Sequence, residues 1–255
     1  MLFYTEALLA HYEALGIPVI NGVTAYRFEK SKALQVELFE RLGVRYPRTV
    51  VINHPEQALK LTDDFRFPLL IKPNVGGSGA GIERFDSRAD LAARAPSLSL
   101  GPDGTALVQE YVEAEGGAIV RVEVLDGRGL YAIRIVRAAD SFNLCPADIC
   151  QVPPAAPAAD LSACPVDVKP GLPVSRYDAP GDVVAQAVAI ARAAAIDVGG
   201  IEYLVGRDDG RVYFYDVNAT SNFVADAPAV LGFDPFVPFV DFIERVAIEG
   251  RHRAA

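Results

Sequence analysis

A glycine-rich loop between two apolar segments has the composition of an anion-binding site. Residues 68–85 have the sequence PLLIKPNVGGSGAGIERF, so one apolar run ends at Lys72 and the next begins at Ile82. Closely spaced glycines permit positive φ angles and bring backbone N–H groups close to an anion. Together with the charge of Lys72, this composition indicates a site for nucleotide phosphates. The loop residues that could contact phosphate are Gly76, Gly77, Ser78, Gly79 and Gly81.

Two familiar phosphate-binding patterns do not match this loop. The P-loop pattern G-x-x-x-x-G-K-[ST] is not present, and the dinucleotide-binding fingerprint requires a following helix where a strand is expected here. A strand–loop–strand hairpin is typical of a flap over phosphates, although an ordinary glycine-rich turn fits the loop alone equally well. Lys72 ends an apolar strand, where a buried ammonium group needs a partner such as phosphate. Alternatively, its side chain extends to water from a sheet edge.

A second candidate site lies in a predicted hairpin near the end of the chain. Residues 212–218 are predicted to form one of its strands, with an Asp-Gly turn before it. Side chains alternate between the two faces of a strand, so Asp216 and Asn218 are expected on one face. Tyr215 and Val217 are expected on the opposite face.

The partner strand of this hairpin contributes a further acid, Glu202. Antiparallel pairing can bring Glu202 opposite Asp216 and Asn218. Two carboxylates and an amide oxygen suit Mg²⁺, with Mn²⁺ as an alternative. A solvated sheet face carrying two acids is the other interpretation, but both strands have the apolar and aromatic composition of buried strands.

The remaining chain mixes helical and strand patterns. Helices are predicted at 6–15, 30–42, 55–61, 87–95, 180–196 and 235–248. Strands are predicted at 18–20, 48–52, 67–72, 81–85, 106–111, 118–125, 130–137, 200–205 and 212–217. Strict βαβ alternation is absent, which favours an α+β fold with mainly antiparallel sheets. The Pro- and Ala-rich segment 141–177 is too long for an ordinary connection and is expected to be a functional loop, a lid or an insertion.

Composition limits the class of protein. The 255 residues are 51% apolar and 22% charged, as in an ordered globular protein that forms one large domain or two lobes. A net charge of −9 argues against nucleic-acid binding, because no positive field would attract phosphates along a surface. No apolar run approaches the ~20 residues of a membrane span. Without a basic segment after Met1, we expect a cytoplasmic protein. The three cysteines have no zinc-site spacing and are expected to be free thiols.

Taken together, these motifs resemble the ATP-grasp superfamily, nearest to the RimK-like carboxylate–amine ligases, from about residue 21 to the last helix. The resemblance implies two α+β lobes with the nucleotide between them. Residues 23–112 would form the small lobe with its flap, and residues 113–255 the large lobe with the metal site. Residues 1–22 would be the remnant of a preceding domain that is mostly absent.

The resemblance also implies individual roles. The ATP phosphates would be contacted by Lys32, Lys72 and residues 76–81. Residues 76–81 are called the flap below. Main-chain groups of Gln109, Glu110, Tyr111 and Val112 would contact adenine. Arg121 would lie near the transferring phosphoryl group, Asn143 in the substrate loop, and Mg²⁺ on Glu202, Asp216 and Asn218.

The implied reaction is ADP-forming ligation of a small-molecule or peptide carboxylate to an amine through an acyl phosphate. The chain departs from close relatives, which usually carry Asp on the first metal strand and Glu on the second, where Glu202 and Asp216 stand here. The Pro-Gly that often follows the asparagine is missing after Asn218. A nucleotide-binding module without ligase activity and an ATP-dependent phosphotransferase stay open as alternatives, as does a homo-oligomeric state.

Overall fold

The computed structural model describes residues 2–77, 79–136, 173–221 and 223–254. Its α-helices are α1 (Leu2–Ala14), α2 (Val23–Lys30), α3 (Lys32–Leu42), α4 (Gln57–Lys60), α5 (Arg88–Arg94), α6 (Gly181–Ala193), α7 (Ala227–Leu231) and α8 (Phe236–Ala254). Its strands are β1 (Thr49–Ile52), β2 (Leu69–Pro73), β3 (Glu83–Phe85), β4 (Ala106–Glu110), β5 (Ala118–Leu125), β6 (Arg128–Val136), β7 (Val174–Arg176), β8 (Val198–Val205) and β9 (Val212–Asn218). Short 3₁₀ helices span Ala95–Ser97 and Glu115–Gly117. Among the described helices, none is both long and apolar enough to span a membrane.

The first sheet has four antiparallel strands in the order β1-β4-β2-β3. The flap connects β2 to β3, as the strand–loop–strand pattern predicts. Leu69 and Ile71 of β2 face an apolar core that Leu91 of α5 also joins. Because side chains alternate along a strand, Leu70 and Lys72 project from the opposite face.

The second sheet has five antiparallel strands in the order β7-β6-β5-β8-β9. All eight residues of the central strand β5 are buried, because both faces of the sheet are covered. Helix α6 packs on one face, and α7 and α8 contribute to the core on the other. The predicted α+β architecture with antiparallel sheets is confirmed.

Helices α2 and α3 pack on the second sheet, although they precede the first sheet in the chain. Phe28 of α2 and Phe39 of α3 belong to the same core as Phe214 of β9. The buried amide of Gln35 donates to the carbonyl of Val217 over 2.9 Å and accepts from its N–H over 3.2 Å. The lobe limits at residues 23 and 112 stay a prediction. Residues 23–42, which were assigned to the small lobe, pack on the second sheet.

Several local expectations were wrong. The predicted strand at 18–20 does not form, because the side chain of Asn21, rather than a strand, binds the start of β8 at Asp197 and Val198. The predicted helix at 30–42 is interrupted at Ser31, whose hydroxyl caps α3 by accepting from the N–H of Leu34. Helices α2 and α7 and strand β7 were not predicted. The helix cap at Ser87 and both Asp-Gly hairpins are confirmed.

Replacing Gln35 by Ala should destabilise the protein by about 1–3 kcal/mol, because buried main-chain groups of Phe28 and Val217 lose their partners. Urea unfolding followed by circular dichroism measures the change. Glu37→Ala is the control on the same helix, since Glu37 is exposed and its ion pair with Arg41 is long, at 3.9 Å. Equal stabilities of the two variants would contradict the proposed role of Gln35 in joining α3 to β9.

Candidate functional site

Lys72 lies between the two sheets and does not extend to water. Its side chain is 9% exposed, and its Nζ donates to Oε1 of Gln109 over 2.6 Å. This contact follows from the pairing of β2 with β4, in which Leu70 is the partner of Gln109. The same Nζ lies 5.6 Å from the ring centre of Tyr215 on β9. Lys72, which is predicted to bind phosphate, therefore lies close to β9, which carries two of the predicted metal ligands.

The electrostatic surroundings of Lys72 are mixed. The pKa of Lys72 is lowered from 10.5 to about 8, chiefly by burial and also by the nearby charge of Lys32. The carboxylates of Asp216 and Glu202 act in the opposite direction. Two predicted phosphate lysines and two predicted metal acids are thus close enough to influence one protonation equilibrium.

Asn74, which the sequence did not single out, fixes the start of α3 to the end of β2. Its Oδ1 accepts from the N–H of Ala33 over 2.9 Å and from the hydroxyl of Ser31 over 3.1 Å. Its Nδ2 donates to Asp103 over 2.7 Å. In the sequence, a polar asparagine just after an apolar strand could have pointed to this role. Through these bonds Asn74 positions Lys32, the first residue of α3, beside the flap.

The described part of the flap has the backbone angles that its glycines permit. Gly76, Gly79 and Gly81 have φ angles of 148°, 71° and 73°, which other residues rarely adopt. The Nζ of Lys32 donates to the carbonyl of Gly76 over 2.7 Å, so the second lysine contacts the flap directly. These angles explain the glycines, and the phosphate contacts of the flap stay a prediction.

The segment 109–112, predicted to contact adenine, leaves the first sheet at the end of β4. The carboxylate of Glu110 is buried and accepts from the main chain and guanidinium of Arg66 over 3.0 and 3.2 Å. The N–H groups of Glu110 and Tyr111 donate to carbonyls of neighbouring segments over 2.8 and 2.9 Å. Neither of these two N–H groups is open to a base. The adenine contact stays a prediction, and it would have to use other main-chain groups of the segment, such as those of Val112.

The three predicted metal ligands come together on one face of the β8–β9 hairpin. Glu202 is paired with Asp216 in the ladder, and Gly200 is paired with Asn218. The side-chain amide of Asn218 lies 3.3 Å from Oε1 of Glu202. Burial and the charge of Asp216 raise the pKa of Glu202, while Arg121 opposes this shift. A cation would relieve the repulsion between the two acids.

Tyr215 faces the site, and the prediction that it faces away was wrong. The ladder shifts register after Glu202, so that Tyr203 is paired with Phe214 and Tyr215 is the extra residue of a β-bulge. The bulge breaks the simple alternation of faces. The hydroxyl of Tyr215 consequently donates to Oε2 of Glu202 over 2.9 Å. Val217 faces the core, as predicted.

Arg121 is buried among polar groups of the second sheet. Its Nε donates to Glu123 over 2.5 Å, its Nη1 to Glu202 over 3.1 Å, and its Nη2 to Ser221 over 3.3 Å. Burial disfavours the charged guanidinium, but the carboxylates of Glu123 and Glu202 outweigh burial and raise the pKa of Arg121. The sequence pointed to Arg121 and Glu202 and missed Glu123 and Ser221.

The donor set fits Mg²⁺ better than a softer metal. Mg²⁺ is commonly held by one or two carboxylates and completed by phosphate oxygens and water. Glu202 and Asp216 would supply the carboxylates, and Asn218 would supply an amide oxygen. Across residues 2–254, apart from the segments that the structure does not describe, no group of three or more His, Cys, Asp and Glu is placed to hold a metal.

Some predicted features lie outside the described residues. They are Ser78 of the flap, Asn143, the three cysteines and most of the segment 141–177. The described end of that segment includes β7, which adds an edge strand to β6.

Comparison with known proteins identifies a family match. Residues 29–143 match the model of the RimK-like ATP-grasp domain. The chain is 29% identical over 142 residues to a probable alpha-L-glutamate ligase 2 of Pseudoalteromonas atlantica and 28% identical to a probable alpha-L-glutamate ligase of Saccharophagus degradans. Each match covers 55% of this chain and 47% of the relative, so the chain spans about half the length of these relatives.

Solved structures match over nearly the whole chain. The ATP-grasp ligase PsnB, complexed with minimal precursor, Mg and ADP, is similar with a TM-score of 0.66 and 22% identity, covering 96% of this chain and 67% of that one. The D-alanine–D-alanine ligase from Bacillus anthracis, complexed with ATP, is similar with a TM-score of 0.69 and 17% identity, covering 98% and 78%. At these identities the similarity establishes the fold.

Replacing Lys72 by Met tests the burial of its ammonium group. Lys72 has a pKa of about 8 in the folded protein against 10.5 as the unperturbed value. The unfolded chain therefore binds more protons between these pH values, and the stability contributed by this group rises with pH across that interval. Relative to Lys72→Met, wild-type stability should rise on the order of 3 kcal/mol from pH 8 to 10.5, at ~1.4 kcal/mol per pKa unit.

Chemical denaturation at a series of pH values measures this difference. Lys60→Met is the control, because Lys60 is exposed and pairs with exposed Glu56 over 3.1 Å. A constant difference between wild type and Lys72→Met from pH 7 to 10.5 would contradict the depressed pKa.

Proposed function

We propose that the chain is an ATP-dependent carboxylate–amine ligase, because it has the ATP-grasp fold and its residues 29–143 match the model of the RimK-like ATP-grasp domain. The observation that carries this proposal is the meeting of Lys72, on the first sheet, with the acids Glu202 and Asp216, on the second. The cation that we propose to bind phosphate thus lies close to the carboxylates that we propose to hold the metal ion. Two relatives named as ligases of amino acids support the same reaction class.

The proposed reaction has two steps. An oxygen of the substrate carboxylate attacks the γ-phosphorus of ATP, and the bond from that phosphorus to the β–γ bridging oxygen breaks, releasing ADP. The amine then attacks the acyl carbon of the acyl phosphate, inorganic phosphate leaves, and the nitrogen loses a proton. Such chemistry depends on positioning and on neutralising charge more than on a protein nucleophile.

The residues of the candidate site have distinct parts in this proposal. Lys72 and Lys32 would bind phosphate oxygens and exchange their present partners, Gln109 and the flap, for the nucleotide. Glu202, Asp216 and Asn218 would hold Mg²⁺, which supplies charge neutralisation at the phosphates. Arg121 would contact the transferring phosphoryl group. These three kinds of contact give a part to Lys32, Lys72, Arg121, Glu202 and Asp216.

The proposed substrates are a small-molecule or peptide carboxylate and an amine. The structurally similar PsnB binds a precursor peptide, which supports testing peptides beside free amino acids. Asn143 is proposed to contact the substrate, and the flap and the main chain of 109–112 are proposed to contact ATP. The predictions of a cytoplasmic location and of no nucleic-acid partner accompany this proposal.

The direct test combines the protein with MgATP and pools of carboxylates and amines. Ligase activity predicts ADP release that requires both an acid and an amine, with one amide formed for each ADP. A nucleotide-binding module would bind ATP and release no ADP with any pool. A phosphotransferase would yield a stable phosphorylated product and no amide. Either of the last two outcomes would contradict the proposed reaction.

Asp216→Asn should abolish ATP turnover while leaving the fold intact, because the variant keeps the shape of the side chain and removes one of two carboxylates that would hold Mg²⁺. ADP release and circular dichroism measure the two effects. The control is Asp208→Asn on the same hairpin, since Asp208 is exposed and contacts Arg207 at the turn. ADP release by Asp216→Asn at the wild-type rate would rule out this metal assignment.

A further inference from the structure

Glu123 is a buried carboxylate that the proposed reaction does not use. It lies two residues after Arg121 on β5, on the same side of the sheet, and is 1% exposed. Its Oε1 accepts from Nε of Arg121 over 2.5 Å, and its Oε2 accepts from the hydroxyl of Ser221 over 2.9 Å. A fully buried carboxylate is costly unless it is paired, so its position requires an explanation.

Gly200 completes the surroundings of Arg121. It lies on β8, where it is the ladder partner of Glu123 on one side and of Asn218 on the other. A methyl group placed on Gly200 would overlap the guanidinium of Arg121. The guanidinium thus occupies the space that a side chain at position 200 would fill. Glycine at this position permits the close approach of Arg121 to the sheet.

The two carboxylates that bind Arg121 have different surroundings. Glu202 also contacts Asn218 and Tyr215 and belongs to the proposed metal set. A carboxylate that binds a metal ion attracts a neighbouring guanidinium less strongly. Glu123 has no place in that set and remains paired with Arg121 when Glu202 turns to the metal. It therefore prevents the unpaired burial of a charge, which is strongly unfavourable.

We propose that Glu123 and Gly200 are positioning residues that hold Arg121 in the orientation needed by the transferring phosphoryl group. Glu123 fixes the Nε edge of the guanidinium, and Gly200 leaves room for it against β8. This proposal rests on the proposed ligase function and adds the residues that prepare Arg121 for it. Neither residue contacts the nucleotide in this arrangement, so nucleotide binding should depend on them little.

Two variants test the proposal by different physical means. Glu123→Gln removes the charge behind Arg121, whereas Gly200→Ala keeps every charge and fills the space of the guanidinium. Both should lower kcat by about 10–100-fold, the usual effect of losing a group that orients a functional side chain. The Kd for MgADP, measured by calorimetry, should change much less than kcat, because neither residue is proposed to contact the nucleotide or the metal ion.

Matched controls separate this effect from general damage to the sheet. Asp197→Asn makes the same carboxylate-to-amide change just before β8, at the end of the strand away from Glu202. Gly181→Ala makes the same glycine-to-alanine change at an exposed position with open space around it. Both controls should keep the wild-type kcat. If Glu123→Gln or Gly200→Ala shows no cooperative unfolding transition, Ser221→Ala takes its place. This variant removes a hydrogen-bond partner from both Glu123 and Arg121 and keeps all charges.

A readout without catalysis keeps the outcome independent of the proposed reaction. The buried Nε–H of Arg121 should give a slowly exchanging ¹⁵N resonance in the full-length protein, assigned by its loss in Arg121→Lys. Glu123→Gln should shift this resonance and speed its exchange. An unchanged resonance, a wild-type kcat in Glu123→Gln, or a loss of kcat that parallels a loss of MgADP binding would overturn the positioning role. Wild-type protein without ADP release would instead contradict the ligase function, and the resonance would still decide the role of Glu123.

Discussion

The pairing of buried charges is the constraint on which the rest of the site depends. Lys72, Arg121, Glu123 and Glu202 are all largely removed from water, and each would be costly there without a partner. Lys72 donates a hydrogen bond to Gln109, and Arg121 pairs with two carboxylates. The strands that carry these residues must therefore hold a fixed register, because a shift by one residue would move the charged groups to the apolar face.

Helices α2 and α3 connect the two halves of this charged site. They pack on the second sheet, yet the start of α3 is bound to the end of β2 through Asn74. Glu29 of α2 accepts from the main-chain N–H groups of Ala219 and Thr220 over 2.5 and 3.2 Å, which fixes the loop after β9. That loop places the hydroxyl of Ser221 where it accepts a hydrogen bond from Arg121. The positions of the flap and of the guanidinium thus depend on the same pair of helices.

The exchange of Asp and Glu between the metal strands is compatible with the observed ladder. Glu202 and Asp216 are direct cross-strand partners, so exchanging the two acids keeps both carboxylates on one face. What changes is the reach of each side chain. The longer Glu202 reaches Arg121 and Tyr215, and the shorter Asp216 is left beside it. In this chain, Glu202 therefore belongs to the proposed metal set and also pairs with Arg121.

The sequence alone determined the α+β class, both Asp-Gly hairpins, the strand–loop–strand arrangement of the flap and the grouping of Glu202, Asp216 and Asn218. These features follow from local turn chemistry and from the two-residue period of strands. Only the tertiary structure decided the bulge that turns Tyr215 towards the site, the packing of α2 and α3 on the second sheet, and the pairing of Arg121 with Glu123. The bulge interrupts the strand period, and the other two features are contacts between elements, which no local pattern encodes. The physical reason is that local periodicity fixes the face of a side chain, whereas its partner across the fold is set by packing.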